Sequence, residues 1–172
     1  EQSGVLLISA TATPGADEMS GLFRPLRLPA DFIPDIVIGH GRITGPMAKA
    51  QVDDFFPSAR RIHFVHMAPG QIEWLKGKKD AAVKADERER LELELAESSA
   101  LVVAVGPRLA LEVGNILCSK PGAPPLHMLN PGVEACQNVE PPIGNHCLLL
   151  GRTDDFELKG LDIAARAFAK LA

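Results

Sequence analysis

Short apolar runs alternate with longer stretches of helical periodicity along nearly the whole chain. Six apolar runs predict strands, over residues 5–9, 35–38, 61–66, 100–105, 126–129 and 147–150. Helices are predicted over residues 45–55, 79–98, 107–116 and 160–171. Strands that are apolar along their whole length are typical of a parallel sheet covered on both faces. The order therefore predicts an α/β fold, a three-layer Rossmann-like open parallel sheet with helices on both faces.

The composition lowers the expectation for several classes of function. A chain of 172 residues, 46% hydrophobic and 23% charged, has enough apolar surface for a globular core. Its net charge of −4 argues against nucleic acid as the main partner. No apolar run approaches the length of a bilayer span, so no transmembrane segment is predicted. The histidines and cysteines lack the spacing of a metal site, and no metal or cofactor is expected.

The cysteines favour a reducing compartment. Cys118, Cys136 and Cys147 are odd in number and widely spaced, which predicts free thiols and a cytoplasmic location. The sequence begins without methionine and ends in a helical pattern, from which we expect a piece of a longer protein.

A glycine-rich loop follows the second predicted strand. It contains Gly39, His40, Gly41 and Arg42, and a further glycine stands at position 45. The spacing is close to the dinucleotide-binding fingerprint, but the last glycine is one residue late and the next strand ends in histidine rather than an acidic residue. NAD binding is therefore not predicted. Either the glycines only allow a tight strand-to-helix turn, or the backbone amides also face a ligand lined by His40 and Arg42.

Two histidines belong to the third predicted strand. His63 lies inside the strand and is predicted to be packed or hydrogen-bonded. His66 lies at its carboxyl end, before a Pro-Gly turn, where side chains of open α/β sheets face the ligand-binding crevice. For His66, a functional role and a structural role both remain open.

Other chemically active side chains have simpler interpretations. Trp74 is predicted to pack rather than to form a platform for a sugar. The glutamates between residues 87 and 97 are interleaved with arginines on a predicted helix, which is typical of a solvated face and not of paired catalytic carboxylates. No serine or cysteine has the sequence context of a hydrolase nucleophile.

Two cations flank the last predicted strand-helix junction. Arg152 follows residues 147–150, and Lys159 precedes the terminal helix. A guanidinium and an ammonium near a helix amino end suit a pyrophosphate. The alternative is a solvated Arg152 paired with a nearby aspartate, a weak interaction.

The order of these motifs resembles a known family. The chain is similar to GT-B fold glycosyltransferases of the large retaining group that includes sucrose and glycogen synthases. The motifs that carry the resemblance are "pDvih-hg", "-v-t-H", "ad-vvavS--la-el", "v-pnGvd" and "vGR----KG", matched in turn by residues 34–41, 62–66, 100–112, 129–134 and 150–160. Position 106 is glycine where that family usually has serine, and the interval between Arg152 and Lys159 is two residues longer than usual.

The resemblance implies a division of the chain and a set of roles. Residues 1–142 would form the acceptor-side domain without its first strand and Gly-rich loop, and residues 143–172 a linker and the start of the donor-binding domain, packed on the same sheet or exchanged in a homodimer. His66 would take the family's active-site histidine role, and Arg152 and Lys159 would hold the donor diphosphate. The intact parent would transfer a sugar from a nucleotide-sugar donor to an unknown acceptor hydroxyl with retention.

The activity of the chain by itself is a separate expectation. The family's Glu-seven-residues-Glu loop, which binds the donor, would lie beyond residue 172, so the chain is expected to be inactive alone. Two alternatives to an enzyme remain: a degenerate glycosyltransferase-like module that serves protein interaction or ligand sensing, and an unrelated phosphate-binding α/β domain.

Overall fold

A four-stranded parallel sheet forms the centre of the structure, a computed structural model that describes residues 4–12, 14–76, 79–132, 143–144, 146–149, 156 and 159–170. The strands, which have the same order in the sheet as in the chain, are β1 (Ile36–His40), β2 (Arg60–Val65), β3 (Leu101–Val105) and β4 (Leu126–Leu129). They coincide with four of the predicted strands. The predicted α/β class with an open parallel sheet is therefore confirmed.

Helices connect the strands. Those in the described part of the chain are α1 (Gly41–Ala50), α2 (Pro69–Leu75), α3 (Ala81–Glu97), α4 (Pro107–Leu117) and α5 (Leu161–Ala169), together with a 3-10 helix (Glu18–Phe23) and a π-helical turn (Gln51–Phe55). The sequence pattern did not predict α2, because its Pro-Gly start was interpreted as a turn. Proline is favourable at the first helical position, where its missing N–H has no partner to lose.

The helices that connect the strands pack on one face of the sheet. Each connection moves to the next strand in the same direction, and right-handed crossovers then place every connecting helix on the same side. On this side, His63 and Val102 are fully buried. On the other side, Ile36 and Ile38 of β1 are 54% and 49% exposed. Of the two predicted helical layers, the described residues thus supply one, and the second face of the sheet stays open.

The apolar core lies between β2, β3 and the helices above them. Val65, Val102, Ala96 of α3 and Leu117 of α4 form a buried cluster. Burying a side chain of this size contributes roughly 1.5–3 kcal/mol. The core therefore fixes β2 and β3 firmly, and with them the direction in which the end of β2 points.

Two predicted strands have no sheet partner among the residues that the structure describes. Residues 5–9 form no strand, with Leu7 92% exposed, and the described residues 146–149 form none either. Apolar periodicity measures a local preference, whereas a strand needs a neighbouring edge that lies far away in sequence. In the single chain α5 has no buried residue. The predicted domain boundary at residue 142 and the predicted packing of residues 143–172 stay predictions. None of the described helices combines the length and apolar character that a membrane span requires.

Candidate functional site

Two histidines from neighbouring strands meet at the carboxyl edge of the sheet. The parallel register aligns His40, the last residue of β1, with Phe64 of β2. Side chains alternate along a strand, so His66 lies on the same side as Phe64 and His40. His40 Nδ1 is 2.7 Å from His66 Nε2, and the two rings stack with their centroids 5.0 Å apart. Two residues that the sequence predicted for the site are thus in direct contact.

The aromatic ring of Phe64 packs against both histidines of this pair. The Phe64 centroid lies 5.1 Å from that of His40 and 6.0 Å from that of His66. Both imidazoles are exposed on their outer side. Partial shielding from solvent and the neighbouring His40 lower the pKa of His66, and the Glu92 carboxylate opposes part of this change. These effects together favour the uncharged form of the His66 ring.

The hydrogen bond between the two imidazoles limits what their outer nitrogens can do. The short contact uses one N–H and one lone pair. If His66 donates, its outer nitrogen is an acceptor and that of His40 is a donor; if His40 donates, these roles are exchanged. In either tautomer the two outer nitrogens present one donor and one acceptor. The 2.7 Å hydrogen bond between the inner nitrogens holds the two rings together. A hydroxyl group, which both donates and accepts, suits such a pair.

The glycine loop is shaped mainly by close packing. A Cβ on Gly39 would lie 2.9 Å from the Ala48 Cβ, so only glycine lets α1 approach β1 this closely. Gly41 has φ +51°, a left-handed conformation that favours glycine at the start of α1. The Arg42 amide donates to Glu92 Oε2 at 3.0 Å. These contacts favour the tight-turn interpretation over the alternative in which backbone amides face a ligand, because the Arg42 amide already has a partner.

Glu92 and His63 form a buried pair beneath the loop. His63 is fully buried, and its Nε2 lies 2.8 Å from Glu92 Oε1. Its Nδ1 has no hydrogen-bond partner among the described residues. The prediction that His63 is a hydrogen-bonded core histidine agrees with this geometry. Glu92 therefore joins α3 to β2 through the imidazole and to α1 through the Arg42 amide.

Sequence reasoning missed Glu92 because it treated the glutamates of α3 as one solvated face. Glu92 stands seven residues after Ala85 and four before Ala96, both of which are buried. These are the spacings of residues on one helix face. The sequence therefore did contain a signal: Glu92 lies in line with the apolar residues of α3, which indicates that its carboxylate turns inward and needs a partner.

A cavity of about 180 Å³ lies between α2, α3 and α4, on the side of the sheet that the helices cover. Val65 and Met67, the neighbours of His66 in sequence, line it. Its other lining residues are Ala68, Gly70, Gln71, Trp74, Glu89, Glu92, Leu93, Ala96, Leu109, Glu112, Val113 and Ile116. Trp74, which was predicted to pack, lines this cavity and is 63% exposed. The short helix α2, which the sequence pattern did not predict, places the indole there.

The predicted phosphate pair is only partly within the structure. Arg152 lies outside the described residues. Lys159 is exposed, two residues before the start of α5. The structure thus brings together Gly39, His40, Gly41, Arg42 and His66 at one edge, and the joint geometry of Arg152 and Lys159 stays a prediction. Within the described ranges, no group of three or more side chains is arranged to hold a metal ion.

The comparisons with known proteins agree with this architecture. No curated protein and no solved structure shows significant similarity to the chain. A family model described as "Family 4 Glycosyltransferase in conflict systems" matches residues 1–172. Because this match spans the whole sequence, and because the fold is the parallel α/β sheet that the motifs predicted, the chain belongs to the family 4 glycosyltransferases of conflict systems.

Proposed function

We propose that this chain is the acceptor-side part of a retaining GT-B glycosyltransferase that uses a nucleotide-sugar donor. In the transfer, the bond between the anomeric carbon and the diphosphate oxygen breaks. A bond from the acceptor oxygen to the same face of that carbon forms, and the proton of the acceptor hydroxyl leaves with the nucleoside diphosphate. The glycosyltransferase family membership supports the reaction class.

The observation that carries the proposal is the exposed His40–His66 pair at the carboxyl edge of the sheet, joined at 2.7 Å. Open α/β sheets bind ligands at this edge. The one donor and one acceptor that the pair presents match a sugar hydroxyl, and the lowered pKa of His66 favours its uncharged form, which costs less to desolvate when a sugar covers it. His66 takes the role of the active-site histidine, and His40 fixes its orientation.

The donor diphosphate is assigned to Arg152 and Lys159, by resemblance to the family's motif. Catalysis needs these cations and the histidine to be held together around one donor, and a misplacement of about 1 Å can cost about a hundredfold in rate. We therefore propose that the isolated 172-residue chain binds the donor but does not turn it over.

Isothermal titration calorimetry with UDP, GDP, UDP-glucose and GDP-mannose tests this proposal. The His66→Ala variant should weaken binding of a nucleotide sugar about tenfold, the equivalent of one lost hydrogen bond of about 1.4 kcal/mol. The same variant should leave binding of the nucleoside diphosphate nearly unchanged, because His66 is assigned to the sugar. Arg152→Ala should weaken both classes of ligand.

A matched control is His127→Ala, since His127 is an exposed histidine on β4 of the same sheet. It should leave every affinity unchanged. Absence of binding by all four ligands at millimolar concentration would overturn the proposed donor. Equal effects of His66→Ala on nucleotide and nucleotide sugar would remove the sugar role of His66.

A second candidate, an interaction module, is favoured by the open face of the sheet. Ile36 and Ile38 are exposed there, and on α5 Ile163 and Phe168 are 65% and 40% exposed. An apolar helix surface without a partner and an apolar sheet face without a cover are complementary. In this candidate, α5 of one copy covers the sheet of another in an exchanged homodimer. The exposed thiols of Cys118 and Cys147 support a proposed cytoplasmic location for either function.

A further inference from the structure

We propose that Glu92 is the positioning residue of the histidine pair, because its carboxylate on α3 joins the turn that carries His40 to the strand that leads to His66. Its part in sugar binding rests on the proposed function and deepens it, since that function assigns the two imidazoles without saying what aligns them. The carboxylate makes its hydrogen bonds to His63 and to the Arg42 amide. It therefore acts through the backbone of the site and not on the sugar.

The turn that carries His40 takes its carboxylate from another element of the chain. His40 is the N-cap of α1, and among the described residues its side chain makes no bond to the first helical turn, which also contains no acidic residue. The free amides of a first turn favour a negative charge. Glu92 supplies this charge, since its Oε2 accepts from the Arg42 amide at 3.0 Å. The His40 amide donates to Thr44 Oγ1 at 2.8 Å. The backbone of His40 is thus fixed on both sides.

The same carboxylate holds the strand that leads to His66. Glu92 Oε1 lies 2.8 Å from Nε2 of His63, which stands on β2 three residues before His66. Because the His63 imidazole is fully buried, water cannot replace this partner. The 2.7 Å contact between the two histidines of the pair therefore depends on two attachments to a single side chain.

Glu92 also lies close to the pair in space. Partial shielding from solvent and the neighbouring His40 lower the pKa of His66, and the Glu92 carboxylate opposes this change. A Cβ on Gly41 would lie 3.6 Å from Glu92 Oε2, so the carboxylate lies directly beneath the turn. A ligand phosphate at the amino end of α1 would meet this negative charge. The turn accordingly positions a histidine and does not bind the donor diphosphate.

Two substitutions separate the hydrogen bonds of Glu92 from its bulk. Glu92→Met keeps the length of the side chain but removes both acceptors. Glu92→Gln keeps one acceptor, and its amide oxygen can still accept from the Arg42 amide. Its amide nitrogen then donates to Nε2 of His63, whose proton moves to Nδ1. We therefore expect Glu92→Gln to preserve the histidine pair and Glu92→Met to release it.

Nitrogen-15 NMR of the imidazole rings in the full 172-residue chain, at about pH 8, where a free imidazole is neutral, tests this expectation. In the unchanged chain and in Glu92→Gln, one of the two inner nitrogens, His40 Nδ1 and His66 Nε2, should be protonated and the other not. In Glu92→Met both rings should show the tautomer mixture of free histidine. Unchanged ring signals in a folded Glu92→Met variant would overturn the proposal, and so would loss of the pair in Glu92→Gln.

Calorimetry connects the alignment of the pair to sugar binding. Glu92→Met should weaken binding of a nucleotide sugar about tenfold, as His66→Ala does, and should leave binding of UDP and GDP nearly unchanged. The double variant should bind no more weakly than His66→Ala alone, because both changes remove one interaction. Equal losses for both classes of ligand, or additive losses in the double variant, would reduce Glu92 to a structural role and overturn the proposal.

The matched control is Glu87→Met, since Glu87 is an exposed glutamate on the same helix. It should change neither the ring signals nor any affinity. Should Glu92→Met fail to fold, hydrogen exchange of the Arg42 amide in the unchanged chain decides the question. This amide should exchange at least about tenfold more slowly than a free peptide amide. Exchange at the free rate would overturn the proposal.

These results can be separated from those of the proposed donor. Ring signals that respond to Glu92→Met in a chain that binds no nucleotide sugar would refute the donor proposal alone. Nucleotide-sugar binding that depends on His66, with ring signals that ignore Glu92→Met, would refute the positioning role alone.

Discussion

Replacement of Glu92 by alanine should strongly destabilise the fold, because this carboxylate holds three elements together. It accepts hydrogen bonds from His63 Nε2 at 2.8 Å and from the Arg42 amide at 3.0 Å. His63 is fully buried, and its Nδ1 already lacks a partner among the described residues. Without Glu92 the imidazole would therefore lose the hydrogen bond that offsets its burial.

The size of the effect follows from these two contacts. A hydrogen bond to a charged group contributes about 1.5–3 kcal/mol. The His63 bond counts in full, since water cannot replace it in the core, whereas the Arg42 amide lies where water can partly substitute. We expect Glu92→Ala to lower the free energy of unfolding by about 2–4 kcal/mol, a large share of the total of about 5–15 kcal/mol for a typical domain. Glu92→Gln, which keeps one acceptor oxygen, should lose about half as much.

Urea denaturation followed by circular dichroism and by Trp74 fluorescence measures this loss directly. Glu87→Ala is the control, because it removes an exposed glutamate from the same helix and should change stability by no more than about 0.5 kcal/mol. A loss below about 1 kcal/mol for Glu92→Ala would refute the reasoning, since the imidazole would then be satisfied without this carboxylate.

Three further predictions concern the pH response, the helix contact and the assembly. The lowered pKa of His66 means that its contribution to stability is complete above about pH 6.5 and declines as the pH falls. Urea titrations at several pH values should show the free energy of unfolding falling with pH in the unchanged chain and falling less in His66→Gln. The same pH dependence in both proteins would contradict this prediction. Gly45→Ala should cost about 1–3 kcal/mol in thermal or urea unfolding, because the new Cβ would lie 2.9 Å from Leu95 Cδ1 and 3.0 Å from His63 Cε1; unchanged stability would mean that α1 moves away without penalty. Ile163→Asp on α5 should shift the exchanged homodimer toward monomer in light scattering, and an unmodified chain that is monomeric at every concentration would remove the dimer proposal.

Only part of the candidate site could be predicted from the sequence. The strand ends place His40 and His66 at one edge, because carboxyl ends of neighbouring parallel strands meet. Their 2.7 Å contact depends on the register between β1 and β2, which no local pattern specifies. The missed α2 shows the same limit: a Pro-Gly pair is compatible with a turn and with a helix start, and packing against α3 decides between them.

The sequence by itself determined the parallel α/β class and the positions of the four paired strands, since apolar periodicity and glycine placement are local properties that survive in the fold. Tertiary structure alone decided which face of the sheet is covered, because the side on which a helix lies follows from the order of the strands. It also decided that Glu92 turns inward to His63 and that Trp74 stands at a cavity. These are contacts between residues distant in sequence, and their partners are chosen by packing rather than by local preference.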